Sequence, residues 1–283
     1  MNNKVLILGS KGTLGQELVK VFRNDYEVTA WDKDVCDVTS PELKDKILQL
    51  HPDFILNAIA YNAVDKMETD PVHKKLGYTL NADIPGKLAE ISKELKSTFV
   101  HYSSNYVFTG DNKSGYSESD VCLPINEYGK SKLAGEQAVA AAGGRYYIIR
   151  LARLFGIRGT GETSKRTFVE IMLSELDKQE LPVGNTELSN ITYSVDLANL
   201  SKTMVESDLT PGIYHGANEG GLTWYDWGKE IFSILGKGPK VIPVETMTPK
   251  ITKHPLYTVL LNTKLPPQRP WQEALKEFLN ANN

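Results

Sequence analysis

Residues 5–15 read VLILGSKGTLG, an apolar run that passes directly into a glycine-rich segment. The run Val5–Leu8 predicts a buried strand, and the amphipathic spacing of Thr13–Phe22 predicts a helix. Glycines three apart between a strand and a helix allow a tight turn and let backbone N–H groups approach a pyrophosphate, which the helix N-terminus also attracts. The stretch therefore predicts a dinucleotide-binding loop. Its candidate cofactor-binding residues are Gly9, Lys11, Gly12, Thr13 and Leu14.

The same strand–helix alternation continues through the first half of the chain. Further strands are predicted at Val28–Trp31, Phe54–Ile59, Thr98–Tyr102 and Tyr146–Leu151. Helices are predicted at Pro41–Leu50 with Ser40 as its cap, at Asp83–Leu95 and at Lys130–Ala142. This alternation predicts an α/β fold, a doubly wound parallel sheet of the Rossmann type with helices on both faces. Ligands of such sheets bind at the carboxyl ends of the strands.

The second half of the chain is less regular. Helices are predicted at Thr167–Leu176, Asp196–Glu206, Thr223–Leu235 and Trp271–Asn280, and a strand at Gly212–His215. We predict an NAD(P)-binding Rossmann domain over residues 1–150 and a smaller, mainly substrate-binding lobe over residues 151–283. A segment near residues 189–216 is expected to return to the sheet.

Composition excludes several classes of function. The 283-residue chain has a formal net charge of −3 without a basic stripe, which argues against nucleic acid as a partner. No apolar run reaches the roughly 18 residues that a membrane span needs. Cys36 and Cys122 cannot form a C-x-x-C site, and the histidines lack ligand spacing, so neither a disulfide nor a metal is expected. The chain reads as a cytoplasmic protein, a monomer or homodimer.

An acidic residue ends the second predicted strand. Asp32 follows the glycine loop by roughly 20 residues, where an acid binds the ribose 2′-hydroxyl of NADH. Lys33 comes next and could instead meet the 2′-phosphate of NADPH. The choice between NADPH and NADH therefore stays open at this point.

Tyr128 and Lys132 lie four residues apart, so in a helix that begins near Tyr128 they share a face. An ammonium beside a phenol favours the phenolate and lowers the Tyr pKa. Such a phenol can give a proton to an alkoxide as hydride arrives, or take one in reverse. Ser104 follows a predicted strand and offers a hydroxyl to the reacting oxygen. These three residues are the predicted catalytic group of an NAD(P)-dependent oxidoreductase.

Over nearly its whole length the chain resembles the extended short-chain dehydrogenases, and among them the dTDP-4-dehydrorhamnose reductase family. The most specific matching segments are the block at 101–108, HYSSNYVF, and the block at 128–136, YGKSKLAGE. Further matches are the glycine loop, Asp37-Val38-Thr39, Asn57–Tyr61, Gly212–His215, Thr223-Trp224-Tyr225 and Pro270–Leu275.

The resemblance implies reduction of a 4-keto deoxysugar carried on a nucleoside diphosphate, with NADPH or NADH as cofactor. Ser104 stands where the family usually has a catalytic Thr, Tyr128 would be the acid, and Lys132 would tune it and hold the nicotinamide ribose. Asp37 and Val38 would line the adenine pocket. The residues expected to pass under the cofactor are Asn57, Ala58, Ala60 and Tyr61. The expected substrate-binding residues are Ser104, Asn105, Tyr128 and Arg153.

The departures from the family pattern lie on the sugar side. Asn105 replaces an Asp, and Leu151-Ala152-Arg153 replaces Thr-Ser-Trp. His254 stands where the family often has Arg, and residues 186–192 keep only their last Thr. We hypothesise that Arg153 serves a more anionic or more polar sugar, because its donors suit phosphates, carboxylates and hydroxyls. The alternative is an ion pair with Glu162, Glu187 or another acid.

Two other functions remain open from the sequence. One is an epimerase or related enzyme that retains NAD through its cycle. The other is a non-catalytic, cofactor-binding regulatory subunit, although such a role does not require Ser104, Tyr128 and Lys132.

Overall fold

A parallel sheet forms the centre of the molecule, in a computed structural model that describes residues 3–161, 164–245 and 251–282. The strands, in chain order, are β1 (Lys4–Leu8), β2 (Glu27–Trp31), β3 (Phe54–Asn57), β4 (Thr98–Ser104), β5 (Arg145–Leu151), β6 (Leu154–Phe155), β7 (Glu180–Gly184), β8 (Leu188–Ser189), β9 (Thr192–Tyr193), β10 (Gly212–His215), β11 (Lys240–Val244) and β12 (Tyr257–Thr258). Six of them form the central sheet in the order β10-β5-β4-β3-β1-β2, and every neighbouring pair is parallel.

Helices cover both faces of this sheet. They are α1 (Thr13–Phe22), α2 (Leu43–Leu50), α3 (Val64–Thr69), α4 (Pro71–Tyr78), α5 (Ile84–Leu95), α6 (Glu127–Ala142), α7 (Phe168–Leu173), α8 (Ser194–Glu206), α9 (Trp224–Leu235) and α10 (Trp271–Ala281). A π-helical turn, Thr79–Asp83, joins α4 to α5, and a short 3₁₀ turn, Asn105–Val107, follows β4.

Strand β1 shows how the sequence specifies the two layers. Val5 and Ile7 are buried with residues of α1 and α8, whereas Leu6 and Leu8 are buried with residues of α2 and α5. Alternate strand residues point to opposite faces, so a strand covered on both faces must be apolar throughout. The doubly wound sheet predicted from the sequence is confirmed.

The strand order reverses between β1 and β3, and this reversal locates the site. In open α/β sheets, ligands bind outside the carboxyl ends of the strands at such a point. The glycine loop follows β1, Asn57 ends β3, Ser104 ends β4 and Leu151 ends β5. All of these chain segments therefore meet at one edge of the sheet.

The residues after β5 build a second core. Phe155, Trp227, Trp271 and Phe278 are buried together with residues of α7, α9 and α10. Three short parallel pairs, β6 with β9, β7 with β11 and β8 with β12, lie in this part of the chain. Helix α8 packs on α1, and β10 pairs with β5 at the edge of the central sheet.

Several predicted boundaries differ from those observed. Helix α2 begins at Leu43, with Glu42 rather than Ser40 as its N-cap, because Ser40 Oγ accepts the backbone N–H of Glu42 at 3.3 Å in a turn. Helix α6 begins three residues earlier than predicted because Asn126 Oδ1 accepts the Gly129 N–H at 2.8 Å and caps it. Helices α3 and α4 were not predicted, since six- and eight-residue helices offer little periodicity.

No helix among residues 3–161, 164–245 and 251–282 is long and apolar enough to cross a membrane. Over the same ranges, no three His, Cys, Asp or Glu side chains form a group that could hold a metal ion. Cys36 and Cys122 are free thiols.

Candidate active site

The glycine loop after β1 brings its backbone close to the end of β2 and to the first turn of α1. Gly9 has a φ of 75°, a left-handed conformation that favours glycine, and its N–H donates to the Trp31 carbonyl at 2.9 Å. A Cβ at Gly15 would lie 2.0 Å from the Gly9 carbonyl oxygen, so only glycine allows this helix-to-loop contact. A Cβ at Gly12 would meet only that oxygen, at 3.3 Å, so space remains beside Gly12 at the start of α1. This space and the helix N-terminus suit a pyrophosphate.

Replacing Gly12 with valine is expected to weaken NADPH and NADH binding by at least about 100-fold, or about 2.7 kcal/mol, because the side chain fills the pyrophosphate's approach. Fluorescence titration of purified protein measures the affinity. The contrasting variant is Gly15→Val, which should instead lower the melting temperature because its side chain collides with the loop backbone. Unchanged cofactor affinity in a folded Gly12→Val protein would contradict the assignment of the loop.

The acid after β2 is tied to the loop by backbone hydrogen bonds. Asp32 Oδ2 accepts the Lys11 N–H at 2.9 Å, and its Oδ1 accepts the Lys33 N–H at 2.8 Å. Farther along, Asp37 Oδ1 accepts the hydroxyl of Thr39 at 2.7 Å and the Thr39 N–H at 2.9 Å, and these bonds lower the pKa of Asp37. Val38 is buried beside it. The predicted ribose and adenine residues thus lie on one connection, after β2.

The predicted residues after β3 lie beside the glycine loop and α6. Asn57 is fully buried, and its Nδ2 lies 3.3 Å from His101 Nδ1. The backbone of Ala58 lies 3.0 Å from the position that a Cβ at Gly9 would take, and Ala60 is exposed. The Tyr61 N–H donates to Asn81 Oδ1 at 2.8 Å.

Asn81 connects this segment to α6, the helix that carries Tyr128 and Lys132, and sequence reasoning missed it. Its Nδ2 donates to the Tyr61 carbonyl at 2.9 Å and to Ser131 Oγ, on α6, at 3.0 Å. Asn81 is fully buried on the π-helical turn. The sequence offered no signal for it, because the turn has no motif and both partners are distant in the chain.

The three predicted catalytic residues lie near one another at the ends of β4 and α6. Ser104 is the last residue of β4, Tyr128 lies in the first turn of α6, and Lys132 lies one turn later. Burial raises the pKa of Tyr128, and its hydrogen bond with Ser104 opposes that effect. The expectation that Lys132 lowers the pKa of Tyr128 is therefore wrong for this structure, since burial sets the direction.

Lys132 makes a different contact from the one predicted. Its Nζ donates to the Tyr102 carbonyl at 2.6 Å, and the residue is 1% exposed. Burial lowers the pKa of Lys132 to about 8, although the charge of Glu136 opposes this shift. The ammonium is thus held between α6 and β4 with little contact with solvent.

A buried ion pair fixes α6 against the sheet behind these residues. Arg150 Nη2 lies 2.7 Å from Glu136 Oε2, and both side chains are at most 3% exposed. Glu136 Oε1 also accepts the hydroxyl of Ser103 at 2.5 Å. Because Ser103 precedes Ser104 and Glu136 lies one turn after Lys132, this pair holds both catalytic segments in register.

Asn105 contacts the second core. Its Nδ2 donates to Ser189 Oγ at 3.0 Å, on β8, and to Thr258 Oγ1 at 2.8 Å, on β12. Its Oδ1 accepts the hydroxyl of Ser104 at 3.2 Å. The side chain is buried, so in this structure the residue predicted to touch substrate orients Ser104 and anchors the β8 and β12 pair.

Arg153 lies two residues beyond β5, at the carboxyl end of the strand, with a φ of 38°. Its guanidinium donates to the backbone carbonyls of Leu222 at 3.0 Å and Glu187 at 2.9 Å, and lies 4.1 Å from the centroid of the Trp224 ring. The Glu187 carboxylate is 3.9 Å away. Burial lowers the pKa of Arg153 to about 10. The other proposed acid, Glu162, lies outside the described residues.

A second set of contacts joins Tyr128 to this cluster, and sequence reasoning missed it. The ring of Tyr106 meets that of Tyr128 edge-on, with centroids 5.5 Å apart. The Tyr106 hydroxyl lies 3.0 Å from His254 Nδ1, which is 3.5 Å from Glu187 Oε1. Trp224 Nε1 also donates to Glu187 Oε2 at 2.9 Å. The sugar-side departures, including Arg153, are therefore neighbours in space.

Residues 156–161 cover the glycine loop from the other side. The Gly159 N–H donates to Thr13 Oγ1 at 3.3 Å, and the Gly161 N–H donates to the Lys11 carbonyl at 3.3 Å. Gln16 Nε2 donates to the Ile157 carbonyl at 2.7 Å. The chain that follows β5 therefore packs directly on the glycine loop at the carboxyl edge of the sheet.

Comparison with known proteins identifies close relatives. The family described as RmlD substrate binding domain matches residues 3–283. A Streptomyces antibioticus protein named "Probable dTDP-4,6-dihydroxy-2-methyloxan-3-one 4-ketoreductase" is 35% identical, over 96% of this chain and 93% of that protein. The dTDP-4-dehydrorhamnose reductase of Burkholderia thailandensis is 31% identical, over 97% of this chain and 92% of that enzyme.

Solved structures with the same fold carry the same enzyme name as the second of these relatives. The crystal structure of dTDP-4-dehydrorhamnose reductase from Bacillus anthracis, in complex with NADP, has a TM-score of 0.92 at 29% identity, with 100% of both chains covered. The dTDP-4-dehydrorhamnose reductase ortholog from Clostridium acetobutylicum has a TM-score of 0.90 at 33% identity, over 98% of this chain and 99% of that one. The similarity therefore extends over both cores of the chain.

Proposed function

The chain belongs to the RmlD substrate binding domain family, and on that premise we propose that it reduces the 4-keto group of a deoxysugar carried on a nucleoside diphosphate. NADPH or NADH is the hydride donor. The observation that carries the proposal is the group of Ser104, Tyr128 and Lys132 at the carboxyl edge of the sheet, the same edge on which an intact glycine loop lies. The relatives named as a 4-ketoreductase and as a dTDP-4-dehydrorhamnose reductase, each matched over more than nine tenths of its length, support the same reaction class.

The glycine loop, Asp32 and the connection at Asp37 and Val38 would hold the cofactor, with the pyrophosphate at the start of α1. When bound, the cofactor supplies the hydride that reduces the carbonyl carbon. The chain itself must orient the sugar and provide the proton that the carbonyl oxygen gains.

Tyr128 provides that proton. Its phenol is partly buried, and burial raises its pKa, so at neutral pH it is protonated and can donate. Ser104, hydrogen-bonded to Tyr128, orients the phenol, and Asn105 fixes the hydroxyl of Ser104 in turn. The Lys132 ammonium donates to the Tyr102 carbonyl, which holds α6 against β4 and keeps Tyr128 in place beside Ser104.

The proposal is tested by following NAD(P)H oxidation across a panel of nucleotide-linked 4-keto sugars that includes dTDP-4-dehydrorhamnose. We expect net oxidation of either cofactor, with kcat/KM for NADPH and NADH within about two orders of magnitude, because one compensated charge contact contributes roughly 1–3 kcal/mol. Purified protein that retains NAD and interconverts sugars without net oxidation would show an epimerase instead. Cofactor binding without any turnover would show a binding subunit.

Within this function, we propose that Arg153 shapes the sugar side of the site by holding Glu187 and Trp224 in place. Its donors meet the Leu222 and Glu187 carbonyls, and its planar face covers the Trp224 ring, which is a geometry that Lys cannot reproduce. The substrate contact expected from the sequence would then be made by the residues that Arg153 positions.

Replacing Arg153 with tryptophan, the residue usual in the family, is expected to give no gain in kcat/KM on dTDP-4-dehydrorhamnose. It should also destabilise the fold by about 2–4 kcal/mol, because Glu187 loses a buried cationic partner. Thermal and chemical denaturation measure the stability, and Arg153→Lys tests whether charge alone suffices. A tenfold gain in kcat/KM at unchanged stability would instead show that Arg153 selects a different sugar.

A further inference from the structure

An ion pair links the glycine loop to the turn after β2, close to the acid expected to meet the ribose. Lys11 Nζ lies 2.6 Å from Asp34 Oδ2, and the two side chains are 44% and 57% exposed. The Lys11 backbone N–H donates to Asp32 Oδ2 at 2.9 Å. Lys11 is thus attached at its backbone to Asp32 and at its ammonium to Asp34.

The position of this pair matters for a 2′-phosphate. Asp32 follows β2, where an acid binds the ribose 2′-hydroxyl of NADH. NADPH carries a phosphate on that hydroxyl, with a charge of about −1.5 to −2. Among the residues that the structure describes, the charged side chains placed near this point by these contacts are Asp32, Lys33 and Asp34 on the turn and Lys11 on the loop. Asp32 and Asp34 would thus repel the 2′-phosphate. Of the two lysines, Lys11 is paired with Asp34.

We propose that Asp34 is a selectivity residue for the cofactor, because its pairing with Lys11 withholds an ammonium from the ribose 2′ position and so favours NADH over NADPH. The inference rests on the proposed function, since it assumes that the glycine loop and Asp32 bind a nicotinamide dinucleotide. Lys11 in the glycine loop is the group through which Asp34 acts.

The test is the affinity of Asp34→Asn for NADPH and for NADH, by fluorescence titration at low ionic strength. An exposed ion pair is worth up to about 1 kcal/mol, so breaking the Lys11–Asp34 pair and removing one acid should tighten NADPH binding by about three- to tenfold. NADH affinity should change less than about twofold, since its ribose carries no phosphate. Salt at about 0.5 M should reduce the gain, because it screens exposed charges.

A matched control and a second variant separate the pair from general charge effects. Asp208→Asn removes an equivalent exposed acid, 3.1 Å from Arg145 at the amino-terminal edge of the sheet, and should leave both affinities unchanged. In the Lys11→Met background, Asp34→Asn should change the free energy of NADPH binding by at most about half as much as in the wild type, because the ammonium that pairs with Asp34 is no longer present.

Three outcomes would overturn the proposal. They are an equal effect of Asp34→Asn on both cofactors, no effect on NADPH, or the full effect in the Lys11→Met background. A wild-type protein that binds neither cofactor would instead overturn the proposed function. Because Asp34 is exposed, a folding defect in Asp34→Asn is not expected, and its melting temperature checks this.

Discussion

Replacing Tyr128 with phenylalanine should lower kcat by at least about 10²–10⁴-fold while NADPH and NADH still bind, because only the proton donor is removed. The phenol is partly buried, and its hydroxyl bonds with Ser104, so the phenyl ring can occupy the same space. Single-turnover and steady-state rates measure the loss, and fluorescence titration confirms that the cofactor binds.

Tyr106 offers a matched control for this variant. Its ring touches that of Tyr128, but its own hydroxyl bonds with His254, away from Ser104. Tyr106→Phe should therefore reduce kcat far less than Tyr128→Phe, and its effect should appear mainly in KM for the sugar. If Tyr128→Phe keeps more than a tenth of the wild-type rate, or if the two variants lose equal activity, Tyr128 is not the proton donor.

Much of the fold could be predicted because its signals are local. Helix α1 and strand β10 were predicted residue for residue, since glycine spacing and apolar periodicity lie within the segments themselves. The boundary at α6 was missed because Asn126 accepts a hydrogen bond from a residue three positions on, before the apolar pattern begins. The parallel arrangement follows from strand–helix alternation alone.

The chemistry of the site was less predictable because burial and long-range contacts decide it. The sequence places Tyr128 and Lys132 on one helical face, but it does not show that Lys132 Nζ donates to a carbonyl 30 residues away. Burial then determines the pKa of both groups. The departures at Arg153 and His254 were visible one by one, yet only the fold shows that both meet Glu187.

Buried Lys132 connects activity to stability. Its pKa is about 8 in the fold against 10.5 for an ordinary lysine, so below pH 8 the protein must bury an ammonium. Between pH 8 and 10.5 the unfolded chain binds more protons than the folded one, and stability contributed by this group rises with pH. The full change is about 3 kcal/mol, from about 1.4 kcal/mol per pKa unit.

Because Lys132 holds α6 against β4 beside Tyr128, replacing it with methionine should lower kcat by about 10²-fold or more. The replacement should also remove this pH dependence of stability, because methionine does not titrate. The free energy of unfolding of the wild type, minus that of Lys132→Met, should increase between pH 7 and pH 10 by about 2–3 kcal/mol. Chemical denaturation at several pH values measures it. At any single pH, the difference in unfolding free energy also includes the loss of the hydrogen bond from Lys132 to the Tyr102 carbonyl. The change of this difference with pH is therefore the informative quantity.

Lys132→Arg separates titration from packing. A guanidinium does not titrate in this range, so the difference between wild type and Lys132→Arg should follow the same pH trend as the difference for methionine, offset by a constant. A difference that stays constant from pH 7 to pH 10 for both variants would show that the Lys132 pKa is not lowered. In that case the Lys132 ammonium would remain charged throughout this pH range, and the fold would bury it at every pH measured.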